Sequence, residues 1–209
     1  MQYIIGLTGL LGSGKSQVSK IFSNLGISII DTDIISRAIT NKGGRAIAPI
    51  FKQFGADYID ISGDLNRNKM RELVFTNRKA LIELETILHP LIFDEVLEQL
   101  RLHQDNYVIV VVPLLFKSLK YLKLIHRSVF VNCSESILID RVVSRNNLTK
   151  SEIQAILNTQ MPANLQLALC DDVLDNNCSI MELTSQVISL DKHYQELFMN
   201  RPTCSKYNF

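Results

Sequence analysis

The sequence predicts a doubly wound α/β fold, a parallel five-stranded sheet with helices on both faces. Three observations carry that expectation. Five short apolar segments alternate with stretches of helical periodicity, the order of elements that builds parallel sheets. One of them, "YVIVVV" (Tyr107–Val112), is apolar without alternation, as a central strand covered on both faces must be. The first runs directly into "GLLGSGKS" (Gly9–Ser16), a G-x-x-x-x-G-K-S phosphate-binding loop, which requires a strand before it and a helix after it.

Each element follows from local pattern. "YIIGLT" (Tyr3–Thr8) is a β-branched run that ends where the glycines begin. Beyond the loop, Val18, Ile21, Phe22 and Leu25 recur at i, i+3, i+4 and i+7, and Gly26 follows as a stop. "ISIID" (Ile27–Asp31) is a second short strand that leads into the acidic pair Asp31 and Asp33. Residues 59–105 are helical and charged without a strand signal, an insertion on the carboxyl edge of the sheet. "SVFVNC" and "DDVLDN" supply the last two strands. Thr149 and Glu152 stand in capping-box spacing, which starts a helix near Lys150, and Pro162 stops it. Residues 199–209 carry no periodicity and are expected to be a loose tail.

Composition excludes several classes. The 209 residues carry a net charge of +1, so neither nucleic acid nor an anionic membrane is favoured by general electrostatics. The longest apolar run, Val108–Phe116, is too short to span a bilayer. The apolar N-terminus has no basic segment before it and reads as a buried strand rather than a signal peptide. Cys133, Cys170, Cys178 and Cys204 show no C-x-x-C spacing and are expected as reduced thiols. The expectation is a soluble cytoplasmic protein, a monomer or weak homo-oligomer.

The chemistry starts at the loop. Gly9, Gly12 and Gly14 let the backbone turn its N–H groups onto phosphate oxygens, and the helix behind adds its dipole. Lys15 can reach the β- and γ-phosphates of a nucleoside triphosphate, and the Ser16 hydroxyl can ligate Mg²⁺. Asp31 and Asp33 fit either of two roles, orienting an attacking hydroxyl or capping the helix that follows. Arg141 and Arg145, four apart, share one helix face and suit either a lid over transferring phosphates or a solvated basic surface. His89 beside Pro90 fits a structural role as readily as a functional one.

Taken in order, "GLTGLLGSGKS", "IIDTDIISR", "FG", "LHP", "VVVPLLF" and "DDVLDNN" resemble the dephospho-CoA kinase family over nearly the whole chain. The resemblance implies a P-loop fold of the nucleoside-monophosphate-kinase type, with ATP and Mg²⁺, transferring the γ-phosphate to the 3′-hydroxyl of dephospho-CoA. It implies one domain over 1–198, with its core at 1–58, 106–138 and 165–198, an acceptor-binding insertion at 59–105 and a lid at 139–164. By position it assigns the nucleotide loop to Gly9 and Leu11–Gln17 (Leu11, Gly12, Ser13, Gly14, Lys15, Ser16, Gln17) and the catalytic carboxylate to Asp33. It matches the family's L-x-R to Leu65 and Arg67 and its HP to His89 and Pro90, with Asp33, Arg67 and His89 as acceptor-binding residues. It assigns lid groups to Arg141, Arg145 and Gln160 and a base-associated segment to Asp171 and Asn176. The chain departs from the pattern at Lys117, where the family has Glu, at Gln166, where it has a basic residue, and at Gln17, Cys170 and Cys178. The reversal at Lys117 bears on the acceptor pocket.

Rival readings fail on particular residues. A GTPase requires a guanine-specifying N-K-x-D, which the nearest segment, "VFVNCSES", lacks. A transporter-type ATPase requires an acid at the end of its central strand, where this chain has Pro113 and Leu114. Another small-metabolite kinase would share the loop but not the "IIDTD", "LHP" and "DNN" set together. A non-catalytic nucleotide-binding module would have no use for Lys15, Ser16, Asp33, Arg141 and Arg145 in concert.

Overall fold

Strand β1 (Tyr3–Thr8) lies at the centre of a parallel sheet of order β2-β3-β1-β4-β5. The other strands are β2 (Ile29–Asp31), β3 (Tyr107–Val111), β4 (Arg127–Asn132) and β5 (Asp172–Asp175). The computed structural model describes residues 2–146 and 149–200, without the side chains of 145 and 146. Register pairs Tyr3 with Tyr107, Ile5 with Arg127, and Val129 with Asp172. All five sequence segments form strands. This order sets the loop after β1 at the carboxyl end of the central strand, where ligands bind in open parallel sheets.

The helices are α1 (Lys15–Asn24), α2 (Thr32–Ile39), α3 (Ile47–Phe54), α4 (Arg67–Thr76), α5 (Arg78–Leu102), α6 (Leu119–Leu124), α7 (Glu135–Asn146), α8 (Lys150–Thr159), α9 (Ala163–Leu169) and α10 (Ile180–Met199). On one sheet face, Ile5 and Leu7 of β1 with Ile109, Val129 and Val131 pack against Val18 and Phe22 of α1 and Leu183, Val187 and Tyr194 of α10. Each such side chain contributes on the order of 1.5–3 kcal/mol by leaving water. On the other face the ends of the Leu115 and Ile125 side chains crowd Gly6, where a Cβ would lie 2.9 and 3.0 Å from them and oblige Leu115 to shift.

Two ties close the far edge. Arg127 donates in bidentate fashion to Asp172 (Nε to Oδ2 2.5 Å, Nη2 to Oδ1 2.9 Å), and the buried Tyr194 hydroxyl donates to the same carboxylate. The hydrogen bond to Asp172 raises the Arg127 pKa above its ordinary value, and burial raises that of Tyr194. Asp171 accepts from the Ser128 amide (2.8 Å) and hydroxyl (2.7 Å), fastening the entry of β5 to that of β4.

The chain forms two compact units: one from its start to Ile30 and again from His103 onward, the other over Asp31–Leu102. The second begins earlier than the sequence boundary at 59, because α2, α3 and α4 all pack on α5. Local amphipathicity shows that a helix has an apolar face and does not say which partner covers it. Pro90 lies inside α5, which continues through it. The capping box of Thr149 and Glu152 opens α8 as expected. α10 runs on to Met199, one residue into the expected tail, and residues 201–209 lie outside the described residues. Among the described residues no helix is long and apolar enough to cross a membrane.

Candidate active site

The loop after β1 is shaped by its own backbone. Ser13 N–H returns to the Leu10 carbonyl at 3.1 Å, and Gly14, with φ +97°, caps α1 by accepting from Gln17 and Val18 N–H at 2.9 and 3.1 Å. That left-handed conformation is why position 14 is glycine. A second reason is space, since a Cβ on Gly14 would lie 2.0 Å from Asn176 Nδ2. At Gly12 (φ +78°) a Cβ would lie 2.7 Å from Val142 Cγ2 and 2.9 Å from the Leu138 carbonyl, so α7 presses directly on the loop.

Lys15 heads α1, and its ammonium donates to the Gly9 carbonyl at 2.9 Å and the Leu10 carbonyl at 3.0 Å. Ser16 and Gln17 follow, both exposed on the first helical turn. The Ser13 hydroxyl is buried without a hydrogen-bond partner among the described residues. An orphaned hydroxyl costs on the order of 1–3 kcal/mol, which a phosphate oxygen as acceptor would relieve.

Three elements of the same unit reach this loop. Asn176, 3% exposed at the end of β5, donates its carboxamide N–H to the Ser13 carbonyl at 2.7 Å. Its own carbonyl accepts from Arg141 Nη2 at 3.3 Å, while Arg141 Nη1 lies 3.5 Å from Cys133 Sγ. Cys133 is buried, and burial pushes its thiol up while the Arg141 charge opposes that shift. From the segment after α8, the Gln160 carboxamide oxygen accepts the Leu11 N–H at 3.0 Å. Arg141 and Gln160 are thus placed at the loop, Asn176 beneath it. Arg145 is on α7, and its side chain lies outside the described residues.

The acidic pair belongs to the second unit. Asp31 is the N-cap of α2 and accepts from Asp33 N–H at 2.8 Å and Ile34 N–H at 3.3 Å, so capping is its structural role. Asp33 is exposed in the first turn of α2. Arg67 heads α4, and its Nη2 donates to Thr40 Oγ1 (3.0 Å), Asn41 Oδ1 (3.1 Å) and the Arg37 carbonyl (3.3 Å), while the neighbouring Leu65 is buried. His89 is exposed in the middle of α5.

Sequence reasoning missed three participants. Cys133 gave no signal, since only the fold brings it beneath Arg141. Lys117 and Gln166 stand in the sequence only as departures from the resembled pattern, and their partners come from the fold. Lys117 donates to the Thr159 carbonyl, and the buried Gln166 amide donates to the Met161 carbonyl at 2.7 Å.

A loop of this kind serves hydrolases and kinases alike. Here the residue after α8, Gln160, bonds to the loop directly, and Arg141 of α7 bonds to Asn176, which itself holds the loop. The fold and the loop define a P-loop kinase. A model of the dephospho-CoA kinase family matches residues 3–182. A dephospho-CoA kinase of Nitrosospira multiformis is 42% identical over 194 residues, covering 93% of this chain and 97% of that one. A crystal structure from Thermus thermophilus superposes with a TM-score of 0.77 at 27% identity, covering 92% and 97% of the two chains. The dephospho-CoA kinase of Campylobacter jejuni, at 24% identity, shares the fold with a TM-score of 0.70 over 94% and 98%. The chain belongs to the dephospho-CoA kinase family.

Proposed function

We propose that this protein transfers the γ-phosphoryl group of ATP to the ribose 3′-hydroxyl of dephospho-CoA, releasing ADP and coenzyme A, in the cytoplasm and without need of an obligate partner. The observation that carries the reading is the loop itself, held by Gln160 at Leu11 and by Asn176 at Ser13, in a chain of this family. The bond from the γ-phosphorus to the β–γ bridging oxygen breaks as the new bond to the 3′-oxygen forms. Asp33 orients the hydroxyl and takes up its proton. An ordinary carboxylate suffices, since a loosely bonded transition state needs positioning more than a strong base. Lys15, Arg141 and Arg145 counter the charge on the transferring group, while the N–H groups from Leu11 to Gln17 cradle the phosphates. Asn176 keeps that cradle in shape through the Ser13 carbonyl. Arg67 and His89 bind the acceptor.

Among the described residues no three His, Cys, Asp or Glu side chains gather into a metal site. Mg²⁺ would therefore be held by phosphate oxygens and the exposed Ser16 hydroxyl, a donor set of hard oxygens that suits it. Bound there, it would supply charge neutralisation between the β- and γ-phosphates.

The test is ADP release from ATP·Mg²⁺ with dephospho-CoA, adenosine, AMP or shikimate as acceptor, with product mass locating the phosphate. Turnover with dephospho-CoA and 3′-phosphorylated product is expected. Faster turnover with another acceptor, or none with dephospho-CoA, overturns the reading.

A further inference from the structure

Gln160 is the first residue of the link from α8 to α9, and the carbonyls of its two neighbours, Thr159 and Met161, are each held by a side chain the mechanism does not use. Lys117, at the end of the 3-10 turn Leu115–Lys117, donates its ammonium to the Thr159 carbonyl. Thr159 is the last residue of α8, and that helix has no basic residue in its own last turn. Lys117 thus brings from another element the cation that a helix C-terminus favours. On the other side, Gln166 is 4% exposed and donates to the Met161 carbonyl at 2.7 Å. Pro162 follows at once and narrows the backbone freedom of Met161. Lys117, Met161 and Gln166 line one small pocket with Pro113, Leu114 and Phe116.

Between these two ties the Gln160 carboxamide oxygen accepts the Leu11 N–H, and the preceding residue of the loop, Leu10, accepts the Lys15 ammonium. A continuous path therefore runs from Lys117 through the α8–α9 junction to the loop lysine. Lys117 and Gln166, 49 positions apart in the chain, thus hold the two carbonyls that flank Gln160.

We propose that Lys117 and Gln166 are positioning residues that hold Gln160 on the phosphate loop, and that they thereby set the affinity for the nucleoside triphosphate. The proposal rests on reading the loop as the ATP site. It predicts that reversing the charge at 117 harms this chain. Lys117→Glu places a carboxylate against the Thr159 carbonyl, at the negative end of α8.

The experiment is calorimetric binding of ATP·Mg²⁺ to the full chain, with no acceptor present, alongside melting curves. The variants are Lys117→Met, Lys117→Arg, Lys117→Glu, Gln160→Ala and the double variant Lys117→Met with Gln160→Ala. Lys117→Met is expected to weaken ATP binding by about threefold to tenfold, the size of one ordinary hydrogen bond, since the exposed ammonium acts at one remove from the nucleotide. Lys117→Glu weakens it further, and Lys117→Arg stays within about twofold of the parent. In the Gln160→Ala background Lys117→Met adds less than about twofold, because the group it positions is gone. An unchanged dissociation constant, or an equal factor in both backgrounds, overturns the proposal and leaves Lys117 as a fastening of the fold alone. A parent that binds ATP but does not phosphorylate dephospho-CoA refutes the proposed acceptor and leaves this test intact. A parent that does not bind ATP refutes both.

Discussion

Replacing Gly14 with alanine tests how tightly the nucleotide loop is specified. Two costs add. With φ +97° and ψ 21°, the backbone lies in the left-handed region, where a Cβ costs roughly 1–2 kcal/mol. The new methyl would also lie 2.0 Å from Asn176 Nδ2, an impossible separation, so the carboxamide must move. It has little room to do so, being 3% exposed and hydrogen-bonded to the Ser13 carbonyl at 2.7 Å. Losing that bond costs about 0.5–1.5 kcal/mol. Together these give a destabilisation on the order of 2–3 kcal/mol, a fall in Tm of several degrees for a chain of this size. The chain has no tryptophan, so urea unfolding followed by far-UV circular dichroism is the suitable assay. A double-mutant cycle separates the two costs. Asn176→Ala removes the obstructing amide, so the pair Gly14→Ala with Asn176→Ala should be less destabilised than the sum of the singles by about 0.5–1.5 kcal/mol, leaving the backbone cost alone. If Gly14→Ala falls within about 0.5 kcal/mol of the parent, the left-handed conformation is not enforced and the reasoning fails. If the two substitutions are strictly additive, the methyl does not meet Asn176 and the steric half fails.

Asp33→Asn should lower turnover with dephospho-CoA by about 10²–10⁴-fold while leaving ATP affinity nearly intact, since it removes a proton acceptor and no loop contact. A loss of ATP binding equal to the loss of turnover would sink the assignment. At the start of α10, the Glu182 carboxylate accepts from the Ser179 N–H and hydroxyl, both at 2.8 Å, and the hydroxyl bond foremost holds its pKa below the ordinary 4.5. A lowered folded-state value means that this stabilisation is complete above the ordinary value and is lost as pH falls through the lowered one. The Tm gap between the parent and Glu182→Ala should therefore be open at neutral pH and narrow in acid. A gap of constant width would show that the ionised carboxylate is not what caps the helix.

What the sequence disclosed and what it hid divide along the reach of the interactions. The strands, the loop and the capping box of α8 were legible because each is written within a few neighbouring residues: a β-branched run, three glycines ahead of a lysine, a threonine three places before a glutamate. Asp31 fits capping or chemistry on sequence alone, and its bonds to Asp33 and Ile34 N–H show the capping, again over a short span. The second compact unit starts at Asp31, ahead of the insertion expected from 59, because assigning α2 and α3 to one unit or the other depends on α5, far along the chain. The same holds at the site. Asn176 meets Ser13, Lys117 meets Thr159, and Gln160 meets Leu11, pairings separated by 163, 42 and 149 residues that follow no periodicity. A charge reversal such as Lys117 therefore looks like damage when read in its own neighbourhood. In the fold the cation faces the carbonyl end of α8, where a carboxylate would be repelled, and Gln166 secures the other side of the same three residues. Two departures that seem independent along the chain act on one segment, so they are best tested as a pair.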